Sequence, residues 1–158
     1  ATGPIADMMA QVKATLAGAG DTPLLVKLGP TDDETVFKQM VEAALKAGAT
    51  GIVATNTVPP DRRALLGDLD FVWPQHDGHP VGGYSGPALN QIAATMIGWA
   101  RDVGGKHMPL MGVGGVHDGP SAKRLLDAGA DVIQLYTALT YQGPAVLSKI
   151  KQALNPSP

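Results

Sequence analysis

Apolar residues follow two different spacings along this chain, and the spacings alternate. Residues 5–16 carry apolar side chains three and four positions apart, which is the period of an amphipathic helix. Short apolar runs without strict alternation come next, as expected for strands that are buried on both faces. The predicted strands are residues 23–28, 51–55, 108–112 and 131–135. A helical pattern follows each of them, so the chain repeats a strand-then-helix unit.

The predicted helices also carry end signals. Thr31 and Glu34 have the spacing of a capping box, so we expect Thr31 to be the N-cap of the second helix. Gly48 is expected just past the end of that helix, where a left-handed residue is favoured. The later helices are predicted to span residues 87–103, to run from an Asp118 cap to Gly129, and to begin near Gly143.

Strands that alternate with helices predict an α/β fold with a parallel sheet. Two architectures are then open, a doubly wound sheet and a barrel. A doubly wound sheet places its glycine-rich phosphate loop after the first strand, whereas the glycine-rich loops here follow the third and later strands. A TIM (β/α)8 barrel binds phosphate after strands seven and eight. The pattern therefore favours the C-terminal half of such a barrel, with about four βα units.

Length sets the expected domain organisation. A complete barrel takes about 250 residues, and this chain has 158. A half barrel leaves two strand edges and one apolar face open. We therefore expect residues 1–158 to form a single half-barrel domain that pairs with a missing N-terminal segment, with a separate polypeptide or with a second copy of itself. The first residue is not Met, which hints that the chain begins partway through a longer protein.

Composition narrows the function classes. The net charge of −2 and the lack of a Lys/Arg cluster give no electrostatic case for nucleic acid. The absence of cysteine excludes disulfides and thiolate metal sites, and the four histidines lack metal-like spacing, so no metal is expected. We expect no targeting or transmembrane segment, because the apolar runs are short and the N-terminus lacks a signal-peptide pattern.

Five short motifs at the ends of these elements carry the candidate chemistry. They are Leu25-Val-Lys-Leu-Gly-Pro30, Val53-Ala-Thr-Asn-Thr57, Gly82-Gly-Tyr-Ser-Gly86, Gly112-Val-Gly-Gly115 and Gln134-Leu-Tyr-Thr-Ala-Leu139. Each has an ordinary alternative: Lys27 as a solvated strand-end lysine, Asn56 as a turn residue, and each glycine pair as a tight turn. Glycine loops after neighbouring strands can equally present backbone N–H groups to an anion.

Taken in this order, the motifs resemble the C-terminal half of dihydroorotate dehydrogenases, and the resemblance extends over residues 21–154. The run at residues 136–144 is similar to the membrane-associated, quinone-using class rather than the soluble class. That family oxidises dihydroorotate to orotate in pyrimidine biosynthesis, passing a hydride to FMN, which then reduces a quinone. The resemblance thus implies FMN, dihydroorotate or orotate, and a quinone. It also implies a parent enzyme that is peripheral on the cytoplasmic side of a membrane.

The resemblance also assigns residues. Lys27 would lie beside the flavin ring and stabilise its anionic reduced form, and Thr55 would contact FMN. Asn56 and Thr57 would contact the substrate. The FMN phosphate would lie among Ser85, Gly86, Gly114, Gly115, Tyr136 and Thr137. No catalytic base is identified, since the family's base, a Ser or a Cys by class, lies in a first half that this chain does not contain.

Two alternatives stay open at this point. A flavin-independent barrel acting on a phosphorylated metabolite would share the glycine loops, but it would not require Lys27 together with the Thr55–Thr57 series. A non-catalytic half barrel that self-associates, as a folding unit or fragment, would explain the missing base. The long segment of residues 58–81 receives no assignment from the pattern.

Overall fold

A computed structural model describes residues 3–155 and shows alternating strands and helices. The helices are α1 (Pro4–Ala19), α2 (Glu34–Lys46), α3 (Leu89–Gly104), α4 (Gly119–Asp127), α5 (Thr137–Gln142) and α6 (Ala145–Leu154). The strands are β1 (Leu25–Leu28), β2 (Gly51–Ala54), β3 (Gln75–His76), β4 (His79–Pro80), β5 (Leu110–Val113) and β6 (Val132–Gln134). Across residues 3–155, each helix is too short or too polar to cross a bilayer.

The main sheet has four parallel strands in the order β1-β2-β5-β6. Neighbours in this sheet are therefore consecutive in the chain, with helices in the connections. A doubly wound sheet reverses its strand order at a switch point, whereas a (β/α)8 barrel keeps the chain order. The predicted fold, half of a TIM barrel, is confirmed.

The two faces of this sheet differ in what covers them. One face packs on α2 and α3, where Ile52 and Leu110 of the sheet meet Phe37, Met96 and Ile97 in one core. The other face carries the row Lys27, Val53, Met111 and Val132, which the strand register aligns side by side. Val132 is 53% exposed on this face. In a closed barrel such a face is the interior, so here it lies open.

The helix ends correct one prediction and confirm others. The N-cap of α2 is Asp33, whose carboxylate accepts the Val36 N–H at 2.9 Å, and not Thr31. The Thr31 hydroxyl instead accepts the N–H of Asp33. A charged acceptor interacts more favourably with a helix N-terminus than a hydroxyl does. At the other end of α2, Gly48 has the predicted left-handed backbone, with φ +107°.

The other helices depart from the sequence pattern in two places. Asp118 caps α4 as predicted, in a capping box completed by Ser121. Helix α3 begins at Leu89 rather than residue 87, because the residues before it form a hydrogen-bonded turn. Helix α5 was not predicted, and it shortens the fourth predicted strand to Val132–Gln134. Tyr136 lies between this strand and α5, as the N-cap of α5.

The unassigned segment of residues 58–81 forms a small second core. It contains a 3₁₀ helix, Pro60–Leu66, and the two-stranded hairpin β3-β4. Val58, Leu66 and Trp73 are buried in this cluster together with Leu89 of α3. Both ends of the segment are joined, since Val58 and Tyr84 exchange backbone hydrogen bonds of 3.1 and 2.7 Å.

Asp131 ties the amino ends of β5 and β6 together. Its carboxylate accepts the Leu110 N–H at 2.8 Å and a hydrogen bond from the Arg101 guanidinium at 3.0 Å. The hydrogen bond from the Leu110 N–H is the largest cause that lowers the pKa of Asp131 below its ordinary value of 3.8. The hydrogen bond from the Arg101 side chain lowers this pKa further. Arg101 also donates to the carbonyls of Gly129 and Met108. This end of the sheet is thus held by a charged network.

Replacing Asp131 with Asn should lower the free energy of unfolding near neutral pH by about 1 kcal/mol, because two charge-assisted hydrogen bonds are weakened. A carboxylate whose pKa is lowered by folding stabilises the protein above its ordinary pKa, and this contribution is lost as the pH falls through the folded value. The difference between wild type and Asp131→Asn should therefore shrink below pH 3.8. Urea unfolding over an acid pH series measures it, with the exposed Asp68→Asn as control. A difference independent of pH would contradict this account.

Candidate functional site

A deep cleft lies at the carboxyl ends of the four parallel strands, where the loops that follow them meet. Its volume is about 1060 Å³, at the upper end of the range usual for small-molecule sites, about 300–1,000 Å³. The loops after β5 and β6 line it together with residues of β1, of the β2 loop and of the loop before α3. Nine of the ten predicted site residues line it: Lys27, Thr55, Thr57, Ser85, Gly86, Gly114, Gly115, Tyr136 and Thr137.

Asn56 is the one predicted site residue outside this cleft. It lines a second, smaller cleft of about 470 Å³, which shares Thr57 and Gly83 with the first. The Asn56 side-chain oxygen accepts the Thr57 N–H at 2.9 Å. Its Nδ2 group can donate to a ligand, and its oxygen keeps a second lone pair that can accept a hydrogen bond. The two clefts adjoin at Thr57, so Asn56 lies next to the larger cleft.

Thr55, directly after β2, links β2 to β1 and β5 at the edge of the sheet that borders the cleft. Its N–H donates to the Val113 carbonyl at 2.8 Å, and its hydroxyl donates to the Leu28 carbonyl at 3.0 Å. The residue is 1% exposed. Because the hydroxyl hydrogen is already used, only the oxygen can take part in a further hydrogen bond, as an acceptor.

Charge in the cleft favours an anion. Lys27 is exposed on the open face of β1, and none of the ion pairs among residues 3–155 engages its ammonium group. The described residues that line the cleft include no Asp or Glu. An anionic ligand in the cleft would find the Lys27 cation at its β1 side and no carboxylate among the described lining residues.

Two glycines bring the loop after β5 close to the turn before α3. Gly114 and Gly115 have φ values of +145° and +60°, which disfavour other residues. A side chain on Gly115 would also come within 2.6 Å of the Gly86 carbonyl oxygen. The loop after β6 joins the same place, since the Ser85 and Thr137 hydroxyls lie 2.5 Å apart. Three loops therefore converge on one spot in the cleft.

Several residues of this site were missed by sequence reasoning. His117, to which the sequence pattern gives no role, lines the cleft, and its Nδ1 lies 2.7 Å from the Gly115 carbonyl oxygen. Gln142 of the unpredicted α5 donates to the His117 carbonyl at 3.0 Å. The only signal for His117 was its place two residues after a glycine pair. Nothing in the pattern marked Gln142.

Replacing Gly115 with Ala tests the close approach of the two loops. Gly105 is a matched control because its φ is +67° but nothing lies within 4 Å of an added Cβ. Both variants share the backbone strain, and only Gly115→Ala adds the clash. We expect Gly115→Ala to lose about 1–3 kcal/mol more stability than Gly105→Ala in denaturant unfolding. Equal losses would show that the contact with Gly86 does not constrain the loop.

Comparisons with known proteins show which family this chain resembles. A family model described as dihydroorotate dehydrogenase matches residues 2–157. The dihydroorotate dehydrogenase (quinone) of Verminephrobacter eiseniae is 34% identical over 148 residues, covering 92% of this chain and 39% of that protein. The protein of the same name from Halobacterium salinarum is 36% identical over 148 residues, with 94% and 40% covered. The chain therefore spans about two fifths of the length of the curated relatives it matches.

A solved structure also shares the fold. The ligand-free DHODH of Eimeria tenella superposes with a TM-score of 0.65 at 25% identity, covering 83% of this chain and 34% of that one. The same enzyme in complex with ferulenol gives a TM-score of 0.64, also at 25% identity, and the match covers 83% of this chain and 32% of that one. In both cases the superposed part is about a third of a longer chain.

Proposed function

Because the chain belongs to the dihydroorotate dehydrogenase family, we propose that it supplies the flavin side of an active site that oxidises dihydroorotate to orotate. In this proposal the cofactor is FMN and the final electron acceptor is a quinone. The relatives named as the quinone enzyme support this class. The observation that carries the proposal is the convergence of nine predicted residues in one cleft, whose lining among residues 3–155 includes no Asp or Glu.

The shape of the cleft fits a long ligand with a phosphate at one end. Lys27 is on β1 and Thr137 follows β6, so they are at opposite edges of the four-stranded sheet. Three gaps between strands at about 4.8 Å each separate these edges by roughly 14 Å. The glycine loops and hydroxyls would hold the phosphate at the β6 side. The isoalloxazine ring would then extend towards β1 and Lys27.

Each polar residue has a distinct task in this arrangement. Bound FMN would supply the hydride acceptor for substrate oxidation. The Lys27 ammonium would place a fixed positive charge beside the ring, in a cleft where no lining carboxylate opposes it. Asn56 and Thr57, at the boundary of the two clefts, would orient the substrate through amide and hydroxyl hydrogen bonds. The proton-abstracting base is proposed to come from outside this chain.

The open face of the sheet supports a second half of the barrel. The edges of β1 and β6 are unpaired among residues 3–155, and Val132 of β6 is exposed on the open face. We take residues 1–158 as one FMN- and substrate-binding half-barrel domain, completed by an N-terminal half barrel that covers this face. The complete protein would be peripheral on the cytoplasmic side of a membrane, where its quinone dissolves.

The experiment that tests this function uses the protein in the full length that its gene encodes. The purified protein should show flavin absorbance, release FMN on denaturation, and lose the absorbance of oxidised flavin when dihydroorotate is added without air. A quinone should restore it. A protein without flavin that binds a sugar phosphate would instead favour the flavin-independent barrel. A protein that self-associates and binds neither would favour the non-catalytic half barrel.

Replacing Lys27 with Ala should slow flavin reduction by dihydroorotate roughly a hundredfold, since a preorganised charge at the reacting ring is lost. Stopped-flow absorbance under anaerobic conditions measures this rate directly. Lys106→Ala is the matched control, because Lys106 is an exposed lysine in the turn before β5, at the end of the sheet away from the cleft. Unchanged reduction in Lys27→Ala would remove Lys27 from the proposed site.

A further inference from the structure

Asn90 is a buried amide that the proposed chemistry does not use. It lies in the first turn of α3 and is 1% exposed. Its Nδ2 donates to the Gly114 carbonyl at 3.0 Å and to the Ser121 carbonyl at 3.2 Å. Its Oδ1 accepts a hydrogen bond of 2.6 Å from the Arg124 guanidinium. This side chain therefore connects α3 and α4 to the glycine loop after β5.

Arg124 fixes which way the Asn90 amide faces. A guanidinium group carries only donors, so it can meet only the oxygen of the amide. The NH₂ group must then face the opposite way, towards Gly114 and Ser121. Two carbonyl oxygens on that side accept its two hydrogens, and every polar atom of the Asn90 side chain has a partner. The orientation is determined by chemistry as well as by shape.

The direction of the Gly114 carbonyl determines the direction of the next N–H. In a trans peptide unit the C=O and the following N–H point to opposite sides. Asn90 draws the Gly114 oxygen inward, towards α3 and α4. The N–H of Gly115, in the same peptide unit, is thereby turned towards the cleft. Within residues 3–155 no hydrogen bond uses that N–H.

The next peptide unit is held as well. His117 Nδ1 lies 2.7 Å from the Gly115 carbonyl oxygen, and because a carbonyl only accepts, the ring nitrogen must donate. Gly115 also packs closely on its neighbours, since an added Cβ would lie 2.6 Å from the Gly86 carbonyl oxygen and 2.7 Å from the Asn90 backbone nitrogen. The loop thus has both of its carbonyls fastened by side chains, while the Gly115 N–H stays available.

We propose that Asn90 is a positioning residue for the flavin phosphate, which it serves by aiming the Gly115 N–H into the cleft through the Gly114 carbonyl. The proposal rests on the function proposed above. Asn90 does not touch the cofactor, and its effect is confined to the phosphate end of the cleft. Its loss should therefore weaken binding of FMN but leave binding of riboflavin, which has the ring and ribityl chain without the phosphate, unchanged.

The test compares FMN and riboflavin by fluorescence titration of the flavin-free, full-length protein. Asn90→Asp keeps the shape and the acceptor for Arg124, but it sets a carboxylate oxygen against the Gly114 carbonyl. We expect the Kd for FMN to rise about 10- to 100-fold, the loss of one hydrogen bond to a charged group, with the Kd for riboflavin within twofold of wild type. Gln91→Glu adds the same charge at the exposed next position and should change neither Kd.

A second pair of variants applies if Asn90→Asp does not fold. Arg124 is exposed on α4. Arg124→Met removes the group that orients the Asn90 amide, whereas Arg124→Lys retains a hydrogen-bond donor. The Met variant should lose part of the preference for FMN over riboflavin, and the Lys variant should retain it. An equal loss of both flavins in Asn90→Asp, or an unchanged preference in Arg124→Met, would overturn the role of Asn90. A wild-type protein that does not prefer FMN to riboflavin would overturn the proposed function instead.

Discussion

The parallel alignment of the four strands is the constraint from which the candidate site follows. Because β1, β2, β5 and β6 run in one direction, every loop that follows a strand opens at the same edge of the sheet. Residues that are far apart in the chain, such as Lys27 and Thr137, are brought to one cleft without any direct contact between them. The hydrogen bonds of Thr55 to Leu28 and Val113 hold that edge in register. Because α2 and α3 form the hydrophobic core with the sheet, the loops at this edge can carry polar groups.

Much of this arrangement could be read from the sequence. The alternation of helical and strand periodicity predicted the number and order of the main strands, and the position of the glycine loops separated a barrel from a doubly wound sheet. The ordered motifs identified the family, which the family match over residues 2–157 confirms. These signals succeed because strand burial and glycine at positive φ are local properties that leave a mark on the sequence. The roles of the individual site residues remain proposals.

The sequence could not show the contacts that depend on the folded backbone, whether local or long-range. Thr31 and Asp33 both carry acceptors near the start of α2, and only the folded backbone shows that Asp33 is the cap. Asn90 reads as a polar residue in an amphipathic helix, yet its partners Gly114 and Arg124 lie 24 and 34 positions away. His117 contacts a carbonyl only two residues away, that of Gly115, and only the fold shows that this contact lies in the cleft. The second core of Val58, Leu66 and Trp73 has no single periodicity because it combines a short 3₁₀ helix, a two-stranded hairpin and loops.

The paired hydrogen bonds between Val58 and Tyr84 divide the molecule into a frame and an appendage. The chain between them leaves the frame and returns beside Gly83, which lines both clefts. It also contacts the frame through Arg62, which donates to the Pro30 carbonyl at 2.8 Å, and through its packing on Leu89. Closing a longer excursion costs little extra entropy, about 0.6 kcal/mol for each doubling of its length. Insertions and deletions between these residues can therefore accumulate over evolution without moving the strand ends. Homologous proteins can then differ widely in the length and chemistry of this segment, while the strand ends that line the cleft stay the same.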